Sequence, residues 1–454
     1  MENDPRLIAF NLLESGQKTT LPLDRAIEDA SEDLNQLSRK DRALTNAIVF
    51  GVFRHRGQID HIIKVCSKIS FDRLEGKVKT LLRMGIFQIV FLDRVPDFAA
   101  IHSIIELAKI KTGKKTSGFI NAVLRKAAKS HNDISLPPRR NFTAFTSAAY
   151  SIPSWLGKRW VAMYGKNKTE NLCQSVLKIP PLTLRVNSLR TNRDELIQLF
   201  DSNGLSCNKS EFSLVGLDVL TSGKAVPDFP GFDDGYFQVQ DEAAQLAVQL
   251  LSPKPGERIL DACAGLGTKT CHIGLSMDNK GEVIANDIGS EKIDRIEPES
   301  KRLGITIIKT TSFDMIRAGR DNFGGYFDRV LVDAPCTGLG VIRRNPDTRW
   351  KRSKKDILRM AALQKKILNG AANLVTPGGV IVFAVCSCEP EENQEVISHF
   401  LNKRKDFEPD PLGFMKHLPL FSKDTPDKFQ LATYPDYTNM DGFFVARLRR
   451  IKRA

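Results

Sequence analysis

The sequence lacks the features that mark membrane proteins and secreted proteins. Near the candidate site described below, the longest uninterrupted apolar run extends from Val380 to Val385. This run is far shorter than the ~20 residues of a membrane-spanning helix. The N-terminus begins Met-Glu-Asn-Asp-Pro and has neither the basic segment nor the apolar stretch of a secretory signal. We therefore expect a cytoplasmic protein that does not bind a membrane.

Zinc-binding and disulfide patterns are absent as well. The eight cysteines follow no regular framework, and no two of them are spaced as CxxC. Cys386 and Cys388 are too close in sequence to bridge comfortably. The spacing argues against a structural zinc site, so we expect reduced thiols and no bound metal.

Positive charge, in contrast, is in excess. The 454 residues carry a formal net charge of +14 at pH 7. A polyanionic partner would explain this balance, and nucleic acid is the commonest one, whereas a solvated basic surface is the alternative. The charge is clustered, because nine lysines and arginines between positions 109 and 140 stand against one acid, Asp133. The clustering favours nucleic acid and predicts a phosphate-contacting face here.

The length allows about three domains. Residues 1–138 are predicted to form an all-helical domain, because strand patterns are nearly absent there. Asp4-Pro5 is a helix start signal, with a cap residue followed by proline at the first helical position. Helical patterns also cover residues 41–66 and 77–92.

A small α+β domain, similar to RRM folds, is predicted for residues 145–235. Residues 182–186 and 213–219 have strand patterns, and a helix is predicted over 192–200.

Residues 236–454 are predicted to form an α/β Rossmann-like domain. Strands and helices alternate there, with short glycine or proline breaks, as in a doubly wound parallel sheet. Two late strands could add an antiparallel edge. The predicted strands cover 258–261, 282–287, 305–308, 329–333, 379–385, 429–434 and 443–448.

Two apolar runs in this domain each lead into a cysteine. One leads into Asp333 and Cys336, and the other leads into Cys386, with Asn393 a short distance beyond. Each run is typical of a buried parallel strand. Ligands of open α/β sheets bind outside the carboxyl ends of the strands. We therefore expect two thiols, a carboxylate and a carboxamide to converge on one crevice.

A glycine-containing loop follows the first strand, at Asp261 to Thr270. A dinucleotide fingerprint would need a glycine at Thr270, and a P-loop would need one at Thr268, before Lys269. The third alternative is a loop that binds S-adenosylmethionine. Three acids favour this alternative: one ends strand two near the ribose, one follows strand three near the adenine, and one ends strand four beside the methyl group. They are Asp287, Asp314 and Asp333.

Paired cysteines at adjacent strand ends suit one particular chemistry. Carbon 5 of cytosine is a poor nucleophile until a thiolate adds to carbon 6, after which carbon 5 can attack a sulfonium methyl. Cys336 and Cys386 are suited to this reaction, and Asp333 is placed to hydrogen-bond the base. Small buried cysteines can instead simply pack within a sheet. The two cysteines together, beside Asp333 and Pro335, favour the catalytic interpretation.

These residues also carry a family resemblance. Asp333-Ala-Pro-Cys-Thr-Gly-Leu-Gly and Cys386-Ser-Cys-Glu-Pro-Glu-Glu-Asn resemble motifs IV and VI of the RNA 5-methylcytosine methyltransferases, and Asp261 to Thr270 resembles their motif I. Residues 1 to about 135 resemble the NusB-like RNA-binding domain found in bacterial 16S ribosomal RNA cytosine-5 methyltransferases of the RsmB (Sun) type. Phe229-Pro-Gly-Phe-Asp-Asp-Gly fits the same group.

The resemblance implies an S-adenosylmethionine-dependent enzyme that methylates carbon 5 of a cytosine in 16S ribosomal RNA. It implies that Cys386 is the nucleophile and that Cys336 assists release, and we place Asp333 in the catalytic set with them because of its expected hydrogen bond to the base. The cofactor residues that it implies are Cys263, Ala264, Gly265, Leu266, Gly267, Thr268, Lys269, Asp287, Asp314 and Asp333.

The sequence departs from the family pattern at two places. The family loop usually reads Ala-Pro-Gly-Gly-Lys, so Thr268 stands where glycine lets the backbone approach the ligand. Pro298 falls within the helix expected after strand two, so we expect that helix to break or to start late.

A basic segment follows motif IV. Residues 343–355 contain seven lysines and arginines, which favours contact with the RNA backbone by Arg343, Arg344 and Arg349. For Trp350 we expect core packing.

The sequence as a whole predicts a monomeric cytosine-5 methyltransferase that acts on ribosomal RNA. One alternative is a non-catalytic RNA-binding, antitermination-like protein with a vestigial methyltransferase domain. Two others are a methyltransferase of another RNA and a P-loop enzyme that binds ATP through Lys269.

Overall fold

The computed structural model describes residues 4–18, 23–221, 224–415 and 428–452. The chain divides into two compact units. The first comprises residues 1–179 and 342–353, and the second comprises residues 180–341 and 354–454. None of the helices in the described ranges combines the length and the apolar composition that crossing a bilayer would need.

The first unit is helical, as predicted. Ser38 caps its longest helix by accepting a hydrogen bond from the Asp41 N–H, and Ile48, Val52 and Ile63 lie on the buried face of that helix. The first helix begins at Pro5, as the start signal predicts. The helices are α1 (Pro5–Lys18), α2 (Leu23–Asp29), α3 (Ser31–Gln36), α4 (Arg39–Cys66), α5 (Gly76–Phe91), α6 (Asp97–Thr112), α7 (Lys114–Ser130), α8 (Phe142–Tyr150), α9 (Ser154–Ser175) and α16 (Thr348–Lys351).

The second unit opens with a small antiparallel sheet, in the order β2-β3-β1-β4, packed with one helix. Its elements are β1 (Leu182–Val186), α10 (Arg193–Asp201), β2 (Ser206–Lys209), β3 (Gly216–Thr221) and β4 (Phe237–Val239). The α+β prediction is confirmed. The predicted range 145–235 also includes α9 and the C-terminal part of α8, which belong to the first unit.

The remainder of the second unit is an eight-stranded sheet in the order β10-β12-β9-β8-β5-β6-β7, with β11 paired to β12. The neighbours among β5 to β9 are parallel, whereas β12 is antiparallel to β9, which confirms the predicted edge. The strands are β5 (Arg258–Asp261), β6 (Glu282–Asn286), β7 (Ile308–Thr311), β8 (Phe327–Asp333), β9 (Val375–Val385), β10 (Phe407–Pro409), β11 (Gln430–Thr433) and β12 (Phe443–Arg450). The helices are α11 (Glu242–Leu251), α12 (Thr268–Ser276), α13 (Ser290–Ile293), α14 (Ile296–Leu303), α15 (Arg320–Phe323), α17 (Lys354–Ala372) and α18 (Gln394–Lys403).

Strand β5 lies at the point where the order of the parallel strands reverses, because it pairs with both β6 and β8. A crevice that can hold a ligand opens at the carboxyl ends of the strands at such a point. The glycine loop follows β5, and the two cysteine-bearing segments follow β8 and β9. The topology therefore brings all three motifs to one edge of the sheet.

Two local expectations had different outcomes. The late start of the helix that contains Pro298 is confirmed, because α14 begins at Ile296 and holds the proline in its first turn. The third strand of the large sheet was predicted over 305–308, but it covers Ile308–Thr311. Ile305 instead packs against Cys271 and Leu275 of α12.

Candidate active site

The two thiols meet at the ends of adjacent strands. Because β8 and β9 are parallel neighbours, with Asp333 opposite Ala384, the segments that follow them run side by side. The sulfur of Cys336 lies 3.1 Å from the sulfur of Cys386. A hydrogen bond to Cys386 and burial raise the pKa of Cys336 well above its usual value. Cys336 therefore retains its proton at neutral pH.

One buried carboxylate holds both cysteine segments. Glu392 is fully buried, and its oxygens accept hydrogen bonds from the Thr337 N–H (2.8 Å), the Thr337 hydroxyl (2.5 Å) and the Ser387 hydroxyl (2.6 Å). Thr337 follows Cys336 and Ser387 follows Cys386, so this carboxylate ties together the residues next to the two sulfurs.

Two amide side chains complete this arrangement. Gln364 of α17 donates to Glu392 (3.1 Å) and to the Pro335 carbonyl (2.9 Å). Asn393, which was expected to converge with the thiols, is 1% exposed and donates to the Ser387 carbonyl. Its amide therefore supports the backbone beside Cys386.

The catalytic carboxylate predicted at the end of β8 forms an ion pair. Lys269 Nζ lies 2.5 Å from Asp333 Oδ2, and the two side chains are 15% and 29% exposed, respectively. Burial acts to lower the pKa of Lys269, but the Asp333 carboxylate outweighs that effect, so the pKa lies above its usual value. Lys269 is therefore charged at neutral pH and links the glycine loop to the strand that carries Asp333 and Cys336.

The glycine loop has the backbone that a ligand-binding turn requires. Gly265 and Gly267 have positive φ angles of 56° and 79°, and a Cβ built at Gly267 would lie 2.8 Å from Cγ1 of Ile296. Thr268 is the first residue of α12 and is not among the positive-φ residues. A branched side chain is therefore accommodated there without backbone strain.

The surroundings of this loop fit S-adenosylmethionine. A Cβ at Gly265 would meet open space, so the loop leaves room for a ligand. Asp287, at the end of β6, accepts hydrogen bonds from the Gly265 N–H (3.0 Å) and the Gly289 N–H (2.9 Å). Leu266 and Ile288 are 49% and 74% exposed, which offers apolar contact beside these carboxylate oxygens. A nucleoside needs this combination of ribose acceptors and apolar surface.

Other predicted cofactor residues differ in accessibility. The side chain of Asp314 follows β7 and is 38% exposed, while its Oδ1 accepts the Ile316 N–H. Ala264 is buried. Burial and three nearby carboxylates raise the pKa of Cys263 well above its usual value, so this thiol stays protonated at neutral pH.

The basic segment after motif IV requires a correction. Arg343 and Arg349 are 1% and 0% exposed, so their side chains are not available to RNA in this structure. Arg349 donates to the carbonyls of Val176 (3.1 Å) and Ile342 (3.0 Å) within the first unit. Arg344 is half-buried and remains a predicted RNA contact.

Trp350 packs against the helical core of the first unit, as expected. Its Nε1 donates to the Phe53 carbonyl at 2.8 Å.

Sequence reasoning missed two residues of the site. Glu392 was quoted only as part of a motif, and Gln364 was not considered. Gln364 lies on the buried face of α17 with Ile357, Ala361 and Leu368, so a polar residue within an apolar helical stripe was the available signal.

Comparisons with known proteins match all three parts of the chain. Residues 3–129 match the NusB family, residues 152–226 match the ferredoxin-like domain of RsmF/B-like methyltransferases, and residues 248–449 match the family 16S rRNA methyltransferase RsmB/F. The probable ribosomal RNA small subunit methyltransferase B of Bacillus subtilis is 36% identical over 424 residues, which is 92% of each chain. The chain belongs to the RsmB/F family.

Other relatives of this RsmB/F chain agree. Ribosomal RNA small subunit methyltransferase B of Escherichia coli O6:K15:H31 is 33% identical and covers 91% of each chain. The crystal structure of PH0851 superposes with a TM-score of 0.81 at 27% identity over 99% of both chains. NSun6 from Pyrococcus horikoshii, solved with SFG, shares the fold (TM-score 0.58, 22% identity, 67% of this chain and 100% of that one).

Membership in the RsmB/F family establishes the class of enzyme. The chain is an RNA methyltransferase, and its cofactor is S-adenosylmethionine. The resemblance drawn from the motifs is confirmed.

Proposed function

We propose that this RsmB/F chain methylates carbon 5 of a cytosine in 16S ribosomal RNA through a covalent adduct with Cys386. The observation that carries the proposal is the 3.1 Å separation of the Cys336 and Cys386 sulfurs at the ends of adjacent strands. A methyltransferase that acted on an already nucleophilic atom would need no such pair of thiols.

We assign different steps of the reaction to the two cysteines. The Cys386 thiolate forms a bond to carbon 6 of cytosine, which makes carbon 5 nucleophilic. S-adenosylmethionine, when bound, supplies the electrophilic methyl group. A base then removes the carbon 5 proton, and the bond between carbon 6 and sulfur breaks. We assign assistance of this release to Cys336, whose raised pKa makes it a proton carrier beside the leaving sulfur.

We assign Asp333 to binding of the target base and Lys269 to the orientation of Asp333. The carboxylate at the end of β8 can accept hydrogen bonds from the amidine edge of cytosine. Its ion pair with Lys269 fixes the orientation of the carboxylate. The glycine loop, with Asp287 and Asp314, would hold the cofactor.

RNA contact is proposed for two regions. Helix α7 buries an apolar face that includes Ile120 and Leu124, and it exposes a basic face. The exposed cations of this helix are Lys114, Lys115, Arg125, Lys126 and Lys129. Together with Arg344, they would contact phosphates.

The oligomeric state and the location are proposals as well. We propose that the chain acts as a monomer in the cytoplasm. Light scattering of the purified chain at micromolar concentration would show a mass near 50.7 kDa, and a dimer mass would contradict the first part.

The test is transfer of labelled methyl groups from S-adenosylmethionine to small-subunit ribosomal RNA that lacks the modification. We expect wild-type protein to label a cytosine, Cys386→Ala to be inactive and Cys336→Ala to accumulate as a covalent protein–RNA complex. Activity retained by Cys386→Ala would overturn the covalent mechanism. Labelling of transfer RNA alone would contradict the proposal that 16S ribosomal RNA is the substrate.

A further inference from the structure

A buried arginine of the small domain reaches the glycine loop. Arg185 lies in β1 and is fully buried. Its Nη1 donates to the Gln240 side chain (2.7 Å) and to the Thr268 carbonyl (2.8 Å), and its Nη2 donates to the Gln238 side chain (2.6 Å). All three acceptors are neutral oxygens, so this guanidinium is held by hydrogen bonds rather than by an ion pair.

This burial is costly for the folded protein. Moving a cation out of water is unfavourable, and hydrogen bonds to neutral oxygens offset only part of that cost. Burial lowers the pKa of Arg185 to about 10, so the side chain is still charged at neutral pH. Fold stability alone therefore gives a poor account of an arginine here, and its contact with Thr268 suggests another role.

The direction of Arg185 follows from the pleat of the sheet. Leu184 and Val186 face the core of the small domain, so Arg185 between them points to the opposite face. Gln238 lies directly opposite Arg185 on β4. In RRM domains this open face of the sheet binds RNA. Here Thr183, Arg185 and Gln238 are buried on it, and Arg185 reaches the loop that follows β5.

The contacted carbonyl is at the point where the loop becomes a helix. Thr268 follows Gly267, which packs against Ile296 of α14, and it precedes Lys269, which pairs with Asp333. At the other side of the loop, Asp287 accepts the Gly265 N–H. Arg185 thus fixes the end of a loop whose other contacts come from the large sheet and its helices.

We propose that Arg185 is a positioning residue through which the small domain sets the affinity of the glycine loop for S-adenosylmethionine. The inference rests on the proposed role of Cys263 to Lys269 as the cofactor loop. Without this hydrogen bond the Thr268 carbonyl and the first turn of α12 would move, and the N–H groups of the loop would lose their alignment with the ligand.

The chain offers a matched control for this role. Arg302 of α14 also binds the small domain, because it donates to the carbonyls of Phe232 (2.5 Å) and Phe237 (3.1 Å). Within the described part of the chain its side chain donates only to these two carbonyls and to Glu299, with which it also forms an ion pair, and not to the glycine loop. Arg302→Met therefore removes a comparable attachment between the two parts of the unit.

The experiment compares wild type, Arg185→Met, Arg185→Lys and Arg302→Met. The dissociation constant for S-adenosylmethionine is measured by calorimetry, together with the melting temperature. We expect Arg185→Met to weaken cofactor binding about tenfold or more and Arg185→Lys to weaken it less, since hydrogen bonds from charged groups have this magnitude. We expect Arg302→Met to lower the melting temperature but to change the dissociation constant less than about twofold.

Steady-state methyl transfer provides a second measurement. The KM for S-adenosylmethionine should rise in Arg185→Lys while kcat stays near the wild-type value, because the cysteines are not displaced. If both arginine positions weaken cofactor binding equally, or if Arg185→Met binds as tightly as wild type, the inference is overturned. If Arg185→Met does not fold, the Arg185→Lys comparison decides. Failure of the wild type to bind the cofactor would instead overturn the proposed cofactor loop.

Discussion

At the scale of single residues, Glu392 connects the two segments that carry the thiols. It accepts four hydrogen bonds without exposure to water, from the backbone and hydroxyl of Thr337, from Ser387 and from Gln364. We therefore expect the sulfur–sulfur distance of 3.1 Å to depend on a residue that needs no contact with the substrate. Catalytic groups displaced by about 1 Å can lose roughly 100-fold in rate, so this support matters for activity.

The corresponding prediction concerns Glu392→Gln. An amide has one acceptor oxygen and would turn an NH₂ group towards donors, so we expect the two cysteine segments to separate. Single-turnover methyl transfer should fall about 100-fold. Formation of the covalent complex in a Cys336→Ala background should fall with it. Glu395→Gln, an exposed site on α18, is the matched control. Wild-type rates in Glu392→Gln would contradict the assigned role.

A second residue-scale prediction concerns Asp261, at the end of β5. Burial raises the pKa of Asp261 to about 7, and the side chain is 0% exposed. The unfolded group titrates near 3.9, so between about pH 4 and 7 the folded state binds the proton more tightly. The contribution of Asp261 protonation to the stability of the folded state is fully present below about pH 4 and is lost as the pH rises through about 7.

Asp261→Asn should remove that dependence. From pH 5 to 7 the free energy of unfolding of the wild type should fall by roughly 2 kcal/mol, and that of the variant should not, because each pKa unit is worth about 1.4 kcal/mol and the group is half deprotonated at pH 7. Calorimetric melting temperatures of both proteins at pH 5, 6, 7 and 8 check this. Parallel curves would mean that Asp261 has an ordinary pKa in the folded protein.

At the scale of elements, the sequence predicts the strands that carry long apolar runs. The predicted bounds of β1 and β5 agree with the structure, and β8 and β9 were found with their C-terminal ends correct. Strand β2, with the sequence Ser-Cys-Asn-Lys, was missed because it has no apolar alternation. Strand β7 was displaced by three residues because Ile305 packs on a helix. Apolar periodicity reports burial and does not by itself identify the neighbour.

The segment 342–353 was misread for a related reason. Seven basic residues among positions 343–355 predict an exposed cationic surface, but the partners of Arg349 are backbone carbonyls as distant in sequence as Val176. Asp347 likewise accepts a hydrogen bond from the N–H of Leu23, which lies 324 residues earlier in the sequence. Composition cannot distinguish an exposed arginine from one that satisfies buried carbonyls.

This correction leads to a prediction for Arg349→Met. The variant keeps the apolar stem and leaves the carbonyls of Val176 and Ile342 without their donor, so we expect a loss of about 3 kcal/mol in stability. Its affinity for ribosomal RNA, measured by filter binding below the melting temperature, should equal that of wild type. Arg344→Met should instead reduce the affinity for ribosomal RNA. Reduced RNA affinity with unchanged stability in Arg349→Met would instead support the prediction that Arg349 contacts the RNA backbone.

At the scale of the whole molecule, the net charge of +14 predicts how RNA affinity depends on salt. Each phosphate contact releases counterions, so the logarithm of the binding constant falls linearly with the logarithm of salt concentration, by about 0.7 to 0.9 per contact. Cofactor binding lacks such a counterion release. RNA binding should therefore weaken steeply between 50 and 200 mM salt, about 1000-fold for six contacts, while the affinity for S-adenosylmethionine stays nearly constant.

The exposed basic face of α7 allows the salt dependence to be tested at one surface of the protein. Replacing Lys114, Lys115 and Lys129 by glutamine should reduce the slope of the salt dependence by about 2 to 3, if each contacts one phosphate. The matched control replaces three exposed lysines outside residues 109–140, namely Lys309, Lys403 and Lys405, and changes the net charge equally. If both triple variants lose the same slope, the molecule attracts RNA through its overall charge. If only the α7 variant shows a smaller slope, the RNA phosphates bind at the exposed face of α7. The reason is that counterions are released where phosphates make contact.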